Sequence, residues 1–132
     1  MTIVNNGDSE FGNLHLSLAN ALTKVRIENS VLANGNSPSK PDCTNSSGFS
    51  SVVANNSLFD DNSCLPSGLN NLIGINPMLS LILADNGGYT PTLLPNVGSP
   101  LLGAGNLSSC LPVDQRGVAR NGACDIGSVQ KQ

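Results

Sequence analysis

The sequence predicts an all-β fold built as a parallel β-helix. Three observations lead there: a composition poor in helix formers and rich in turn formers, a repeat of two short strands joined by Asn-Ser, and four cysteines at loop-closing spacings. The chain has 132 residues and a mass of 13.5 kDa, one domain's worth. Only 11% of residues are charged and 3% aromatic, while 39% are hydrophobic. Asn reaches 18 and Ser 17, beside 14 Gly and 8 Pro. Lys, Glu, Arg and Gln are too scarce to build a helical bundle or a coiled coil. Six Lys and Arg against nine Asp and Glu give a net charge of −3, so sequence-independent nucleic-acid binding is excluded as a reading. The longest apolar run, residues 77–84 (PMLSLILA), is far too short to span a bilayer. The opening MTIVNNGDSE has neither the basic start nor the apolar core of a signal peptide.

The repeat carries the strand assignments. Residues 25–34 (VRIENSVLAN) lie on residues 52–61 (VVANNSLFDD) at an offset of 27. Val25 meets Val52, Asn29 meets Asn56, Ser30 meets Ser57 and Val31 meets Leu58. Residues 31–35 (VLANG) lie on residues 3–7 (IVNNG) at an offset of 28, and residues 71–75 (NLIGI) are a weaker echo. Alternation then assigns faces: Val25 and Ile27 point inward with Val52 and Ala54, and Arg26 and Glu28 outward. Leu14, Leu16 and Leu18 alternate with His15 and Ser17 in the same way. Strands this short are stable only when stacked unit upon unit. Asn suits the bends because it tolerates left-handed backbone angles, and Asn29 and Asn56 are expected to form one step of a side-chain ladder. A β-sandwich with accidental similarity is the competing fold.

Cys43, Cys64, Cys110 and Cys124 permit three pairings. Closure of local loops favours Cys43–Cys64 and Cys110–Cys124, each worth roughly 3 kcal/mol in the loop-entropy model. Free buried thiols and a zinc site are the alternatives. The zinc site is disfavoured by the absence of any CxxC and by a single, remote histidine. An even cysteine count leans towards an extracellular or cell-surface setting.

The C-terminal half carries several linked motifs: Asn71-Leu-Ile-Gly74, Leu83-Ala-Asp-Asn-Gly-Gly88, Gly98-Ser-Pro100, Asp114-Gln-Arg-Gly117 and Cys124-Asp-Ile-Gly127. In this order they resemble the C-terminal region of bacterial choice-of-anchor Q surface proteins with right-handed parallel β-helix repeats. The resemblance covers roughly residues 25–128. It departs at Leu101-Leu-Gly103, where that family often has Ala-Ile-Asp, and in the tail Ser128-Val-Gln-Lys-Gln132, which lacks an aromatic and an acid. It implies a right-handed, secreted or surface-exposed β-helix and no known catalytic activity. Residues 1–106 are then expected to form the coils, and residues 107–132 a disulfide-closed cap of the same domain.

Candidate chemistry is sparse. Asp60 and Asp61 are adjacent, so on a strand they would diverge and could not act as a pair. They read as turn formers, and no trio of acids is expected within two aligned coils. Glu28 sits outward near Arg26, Asp85 reads as a turn residue, and His15 has no partner in the sequence pattern. Asp114, Arg116 and Asp125 are expected to form a salt-bridged structural cap over the last coil; a small anion or sugar site is the alternative reading.

The expected function is therefore a non-catalytic extracellular or cell-surface module, structural or adhesive, with no cofactor or metal. A carbohydrate-binding or polysaccharide-degrading domain is the alternative, and an ice-binding surface is disfavoured by five Thr in no regular array. Expected partners are cell-surface glycans or other proteins. Because residues 3–6 read as the second half of a coil, the chain is expected to be the C-terminal part of a longer parent or to self-associate through its N-terminal coil.

Overall fold

The computed structural model describes residues 1–7, 10, 12–17, 24–39, 41–45 and 51–132. Among them, eight short strands follow in order: β1 (Thr2–Val4), β2 (Leu14–Leu16), β3 (Lys24–Glu28), β4 (Val31–Ala33), β5 (Cys43–Asn45), β6 (Ser51–Asn55), β7 (Leu58–Phe59) and β8 (Leu72–Ile73). They form three sheets, ordered β1-β4-β7-β8, β2-β5 and β3-β6, and every one of these pairings is parallel. Among the described residues there is no α-helix, only a single 3₁₀ turn at Leu107–Ser109. The chain is all-β, and among the described residues no helix is long and apolar enough to cross a membrane.

Strands β1, β2 and β3 pair in turn with β4, β5 and β6, so each unit lies against the next. The β3–β6 register places Val25 opposite Val52 and Ile27 opposite Ala54. Leu18 of the alternating leucines lies outside the described residues. The β1–β4 register differs from the expected one by a single residue: Thr2 is opposite Val31 and Ile3 opposite Leu32. The positive-φ residues explain the slip. Asn5 (φ 58°) is the counterpart of Asn34 (φ 53°), so the bend is set by that asparagine and not by the Asn-Gly pair that the sequences share.

A second set of bends, between β3 and β4 and between β6 and β7, is built from repeated chemistry. Asn29 and Asn56 hold φ 46° and 47°. The following serine folds its hydroxyl back onto the chain: Ser30 Oγ donates to Glu28 O at 2.7 Å and Ser57 Oγ to Asn55 O at 3.0 Å. Successive bends are linked by backbone N–H groups of these serines donating to side-chain oxygens of the next bend, and not, as expected, by a side-chain ladder of Asn29 and Asn56. Ser30 N–H donates to Ser57 Oγ (3.2 Å), and Ser57 N–H to Asn71 Oδ1 (3.1 Å). The asparagine amides reach the C-terminal segment instead. Asn29 Nδ2 donates to Asn106 O at 3.1 Å, and Asn56 Nδ2 to Ala104 O at 3.3 Å.

Two apolar clusters flank the four-stranded sheet. One gathers Leu16, Ile27, Leu32, Cys43, Val52, Ala54, Phe59 and Cys64, with Ile3, Leu14 and Val25 packed against it. The other lies across the sheet and joins Val31, Ala33 and Leu58 to Leu101 and Ile126 from the C-terminal segment. Val31, Leu32 and Ala33 are consequently all buried, which is why β4 reads as a continuous apolar run.

Parallel pairing ends at Ile73, well before residue 106. The segment beyond carries antiparallel bridges, Leu79–Pro95, Ala84–Thr92 and Val113–Ala119. It runs along the outer face of the sheet: Gly127 N–H donates to Asn29 O (2.9 Å) and Ser128 N–H to Thr2 Oγ1 (3.0 Å). The burial of Val31 and Leu58 under Leu101 and Ile126 makes it a side cover reaching back to β1. Gly127 has φ 110°, and a Cβ there would lie 2.9 Å from Thr2 Oγ1 and 3.3 Å from Val31 Cγ2. Gly127→Ala is expected to cost roughly 1–3 kcal/mol in a denaturant titration, with the Ser128 amide losing exchange protection first.

Candidate functional site

Two polar clusters and one groove stand out. The first cluster is created by a disulfide. Cys43 and Cys64 are bonded, with Cα atoms 4.7 Å apart, and this ties β5 to the loop that follows β7. Asp42 precedes Cys43 and is thereby brought against Asp60 and Asp61. Carboxylate oxygens of the three lie within 4.8 Å of one another. Asp60 and Asp61 thus converge on a third acid that the sequence reading did not bring to them. They leave the strand before its alternation can separate them, and the bridge supplies Asp42.

Backbone amides and one side chain hold the trio. Asn34 N–H donates to Asp60 Oδ2 at 2.7 Å, and Asp42 N–H to Asp61 Oδ2 at 3.0 Å. Ser63 N–H donates to Asp61 Oδ1. The Asp42 carboxyl is completely buried and receives Asn13 Nδ2 at 3.2 Å and Asp61 N–H at 3.4 Å. Burial, and then the charges of Asp60 and Asp61, push Asp42 up to about 8. The Asp42 carboxyl therefore keeps its proton to a higher pH than an ordinary aspartate does. Three hard oxygens are the donor type that calcium takes, but they are half or fewer of the six to eight it needs.

The second cluster fastens the C-terminal segment. Cys110 and Cys124 are bonded, Cα atoms 6.3 Å apart, so both bridges join the cysteines that loop closure favours. Arg116 forks onto Asp114 Oδ2 through Nε (3.0 Å) and Nη2 (2.9 Å). It also reaches Asn86 O (3.1 Å) and Gln130 O (2.6 Å), joining three stretches of the segment. Asp114 accepts the N–H groups of Arg116 (2.8 Å), Val118 (3.0 Å) and Gln130 (2.9 Å). Burial pushes the Asp114 carboxyl up, but the hydrogen bonds from Gln130, Arg116 and Val118 outweigh it and hold the group below its ordinary value. Asp125 does not pair with Arg116. It receives Gly103 N–H and Lys131 N–H, each at 2.7 Å. The cluster ties the outer cover together and presents its charge to backbone groups. Ile126 and Leu101 draw the segment onto the apolar outer face of the sheet, against Val31, Ala33 and Leu58.

The groove lies between β1 and the antiparallel stretch 79–95 and has a volume of about 640 Å³. Thr2, Val4 and Asn5 form one side, and Leu81, Ile82 and Leu83 the other. None of its lining residues is charged. A neighbouring cavity of about 310 Å³, also without a charged residue, shares Val4, Asn5, Leu81 and Leu93 with it.

The remaining sequence candidates stand apart from these sites. His15 is exposed at the centre of β2, opposite Thr44. Asp85 Oδ1 accepts Gly87 N–H at 3.1 Å, a turn closed by its own side chain. Glu28 ends β3. Comparison with family models, curated proteins and solved structures finds no match for this chain.

Proposed function

We propose that the chain is part of a right-handed parallel β-helix held outside the cytoplasm, serving as a non-catalytic structural or adhesive module of a bacterial surface protein. The observation that carries this reading is the recurrence of parallel strands and Asn-Ser bends from unit to unit, locked by two disulfides. Parallel stacking of this kind builds an extended wall, and disulfides persist in oxidising compartments. The resemblance to choice-of-anchor Q proteins points the same way. The polar clusters support it too: Asp114 and Arg116 are consumed in binding the segment to itself, and Asp42 is buried.

The competing reading, a polysaccharide-degrading domain, would place its acids at Asp60, Asp61 or Glu28. The purified oxidised chain, incubated with pectin and alginate, is expected to release no new chain ends. Release that disappears in Asp61→Asn or Glu28→Gln would replace the structural reading with a catalytic one.

A further inference from the structure

We propose that the groove beside β1 is a docking site for an extended, uncharged, aliphatic polypeptide strand, which adds to the free edge of β1 in parallel. The proposal rests on the stacked-unit reading above and names where, and with what chemistry, a partner joins the stack.

The hydrogen-bond pattern defines the edge. Val31 N–H donates to Met1 O (2.9 Å) and Asn5 N–H to Ala33 O (3.3 Å). In a parallel ladder of this register, Ile3 then turns both its groups to β4, and Thr2 and Val4 turn theirs away. Val4 O takes the Asn6 side chain at 2.9 Å. Among the described residues, no strand pairs with this side of β1. The edge is a template for one more strand.

The surroundings define the chemistry. β4 shows what an inserted strand looks like in this sheet: Val-Leu-Ala, with Leu32 in one apolar cluster and Val31 and Ala33 in the other, under Leu101 and Ile126. Beside β1 the same two supports are present but unfilled. Ile3, Leu14 and Val25, which begin the first cluster, are only half-buried. Leu81, Ile82 and Leu83 line the groove yet are 96%, 77% and 63% exposed. A strand with aliphatic side chains on both faces would cover both supports. A charged strand would have to desolvate its charges in a groove that offers none to pair with.

The test uses the full oxidised chain, ¹⁵N-labelled, and a fluorescein-labelled peptide copying residues 29–36, which contain the β4 strand and no charged side chain. Saturable binding is expected, with shifts centred on Thr2 and Val4. Affinity should fall roughly tenfold or more in Val4→Pro, which removes a donor facing away from β4, and in Ile82→Asp, which charges the exposed wall without touching the core. Unchanged affinity in both variants, no saturable binding, or shifts centred on β8 would overturn the proposal. A concentration-dependent dimer that excludes the peptide would assign the groove to a second copy, and displacement by maltohexaose would assign it to a glycan; either overturns the proposed occupant. Cross-strand contacts between Val25 and Val52, read from the same sample, keep the two ideas separable. Their presence without binding removes only the docking site, whereas their absence removes the stacked-unit reading itself.

Discussion

Replacing Asp114 by alanine is expected to cost about 3–5 kcal/mol of folding stability, the range for breaking a buried, hydrogen-bonded ion pair by deleting one partner. The Asp114 side chain is fully buried and that of Arg116 nearly so. The substitution strands the guanidinium and removes the acceptor for three backbone N–H groups. The loss should spread. Gln130 N–H is one of the three, and residues 127 and 128 are the ones bonded to Asn29 and Thr2. Hydrogen exchange in Asp114→Ala should therefore show the cover loosening from β1 while β3 and β6 keep their protection. A loss below about 1 kcal/mol in a urea titration would mean that this pair holds little, as exposed pairs do.

The second large effect is a pH dependence of unusual sign. Asp42 has its folded-state value raised to about 8, far above an unfolded aspartate. The native chain then holds a proton that the unfolded chain has released. Its contribution to stability is complete below about pH 4 and is lost as pH rises towards 8. For a single proton the slope is at most about 1.4 kcal/mol per pH unit. Asp114, held below its ordinary value, acts in the opposite sense and loses its contribution as pH falls through its depressed value. Urea midpoints are accordingly expected to peak on the acid side of neutrality. Asp42→Asn, which keeps the shape and abolishes the titration, should flatten the fall between pH 5 and 8. A wild-type profile that rises across that interval would show that the folded chain does not hold the Asp42 proton above the unfolded chain's value.

Much of the fold is legible in the chain because the repeat is chemical as well as hydrophobic. Asn29-Ser30 and Asn56-Ser57 demand the same backbone angles and the same hydroxyl-to-carbonyl bond, so their alignment also gives the β3–β6 register. The β1–β4 register is less legible: Asn5-Asn6-Gly7 offers two asparagines, and matching the Asn-Gly pair chooses the wrong one. The acidic trio is invisible to strand alternation because its members are neighbours only through a disulfide. The signal was present nevertheless: Asp42 stands immediately before Cys43, and Asp60 and Asp61 precede Cys64 by a few residues. The placement of the C-terminal segment was the hardest to read. The motifs that bind it, Asp114-Gln-Arg-Gly117 and Cys124-Asp-Ile-Gly127, describe its internal bonds, whereas its position depends on where Leu101 and Ile126 find an uncovered apolar face.

The proposed surface module is tested most directly by the state and accessibility of its cysteines in living bacteria. The epitope-tagged protein, expressed in its own cell, would be shaved from intact cells with protease and treated with a maleimide before and after reduction. The expected result is a tag removed by protease from intact cells, and four cysteines that react with maleimide only after reduction, mapping as Cys43–Cys64 and Cys110–Cys124. A protease-resistant tag, with four thiols that react without reduction, would place the chain in the reducing cytoplasm and contradict the surface-module reading.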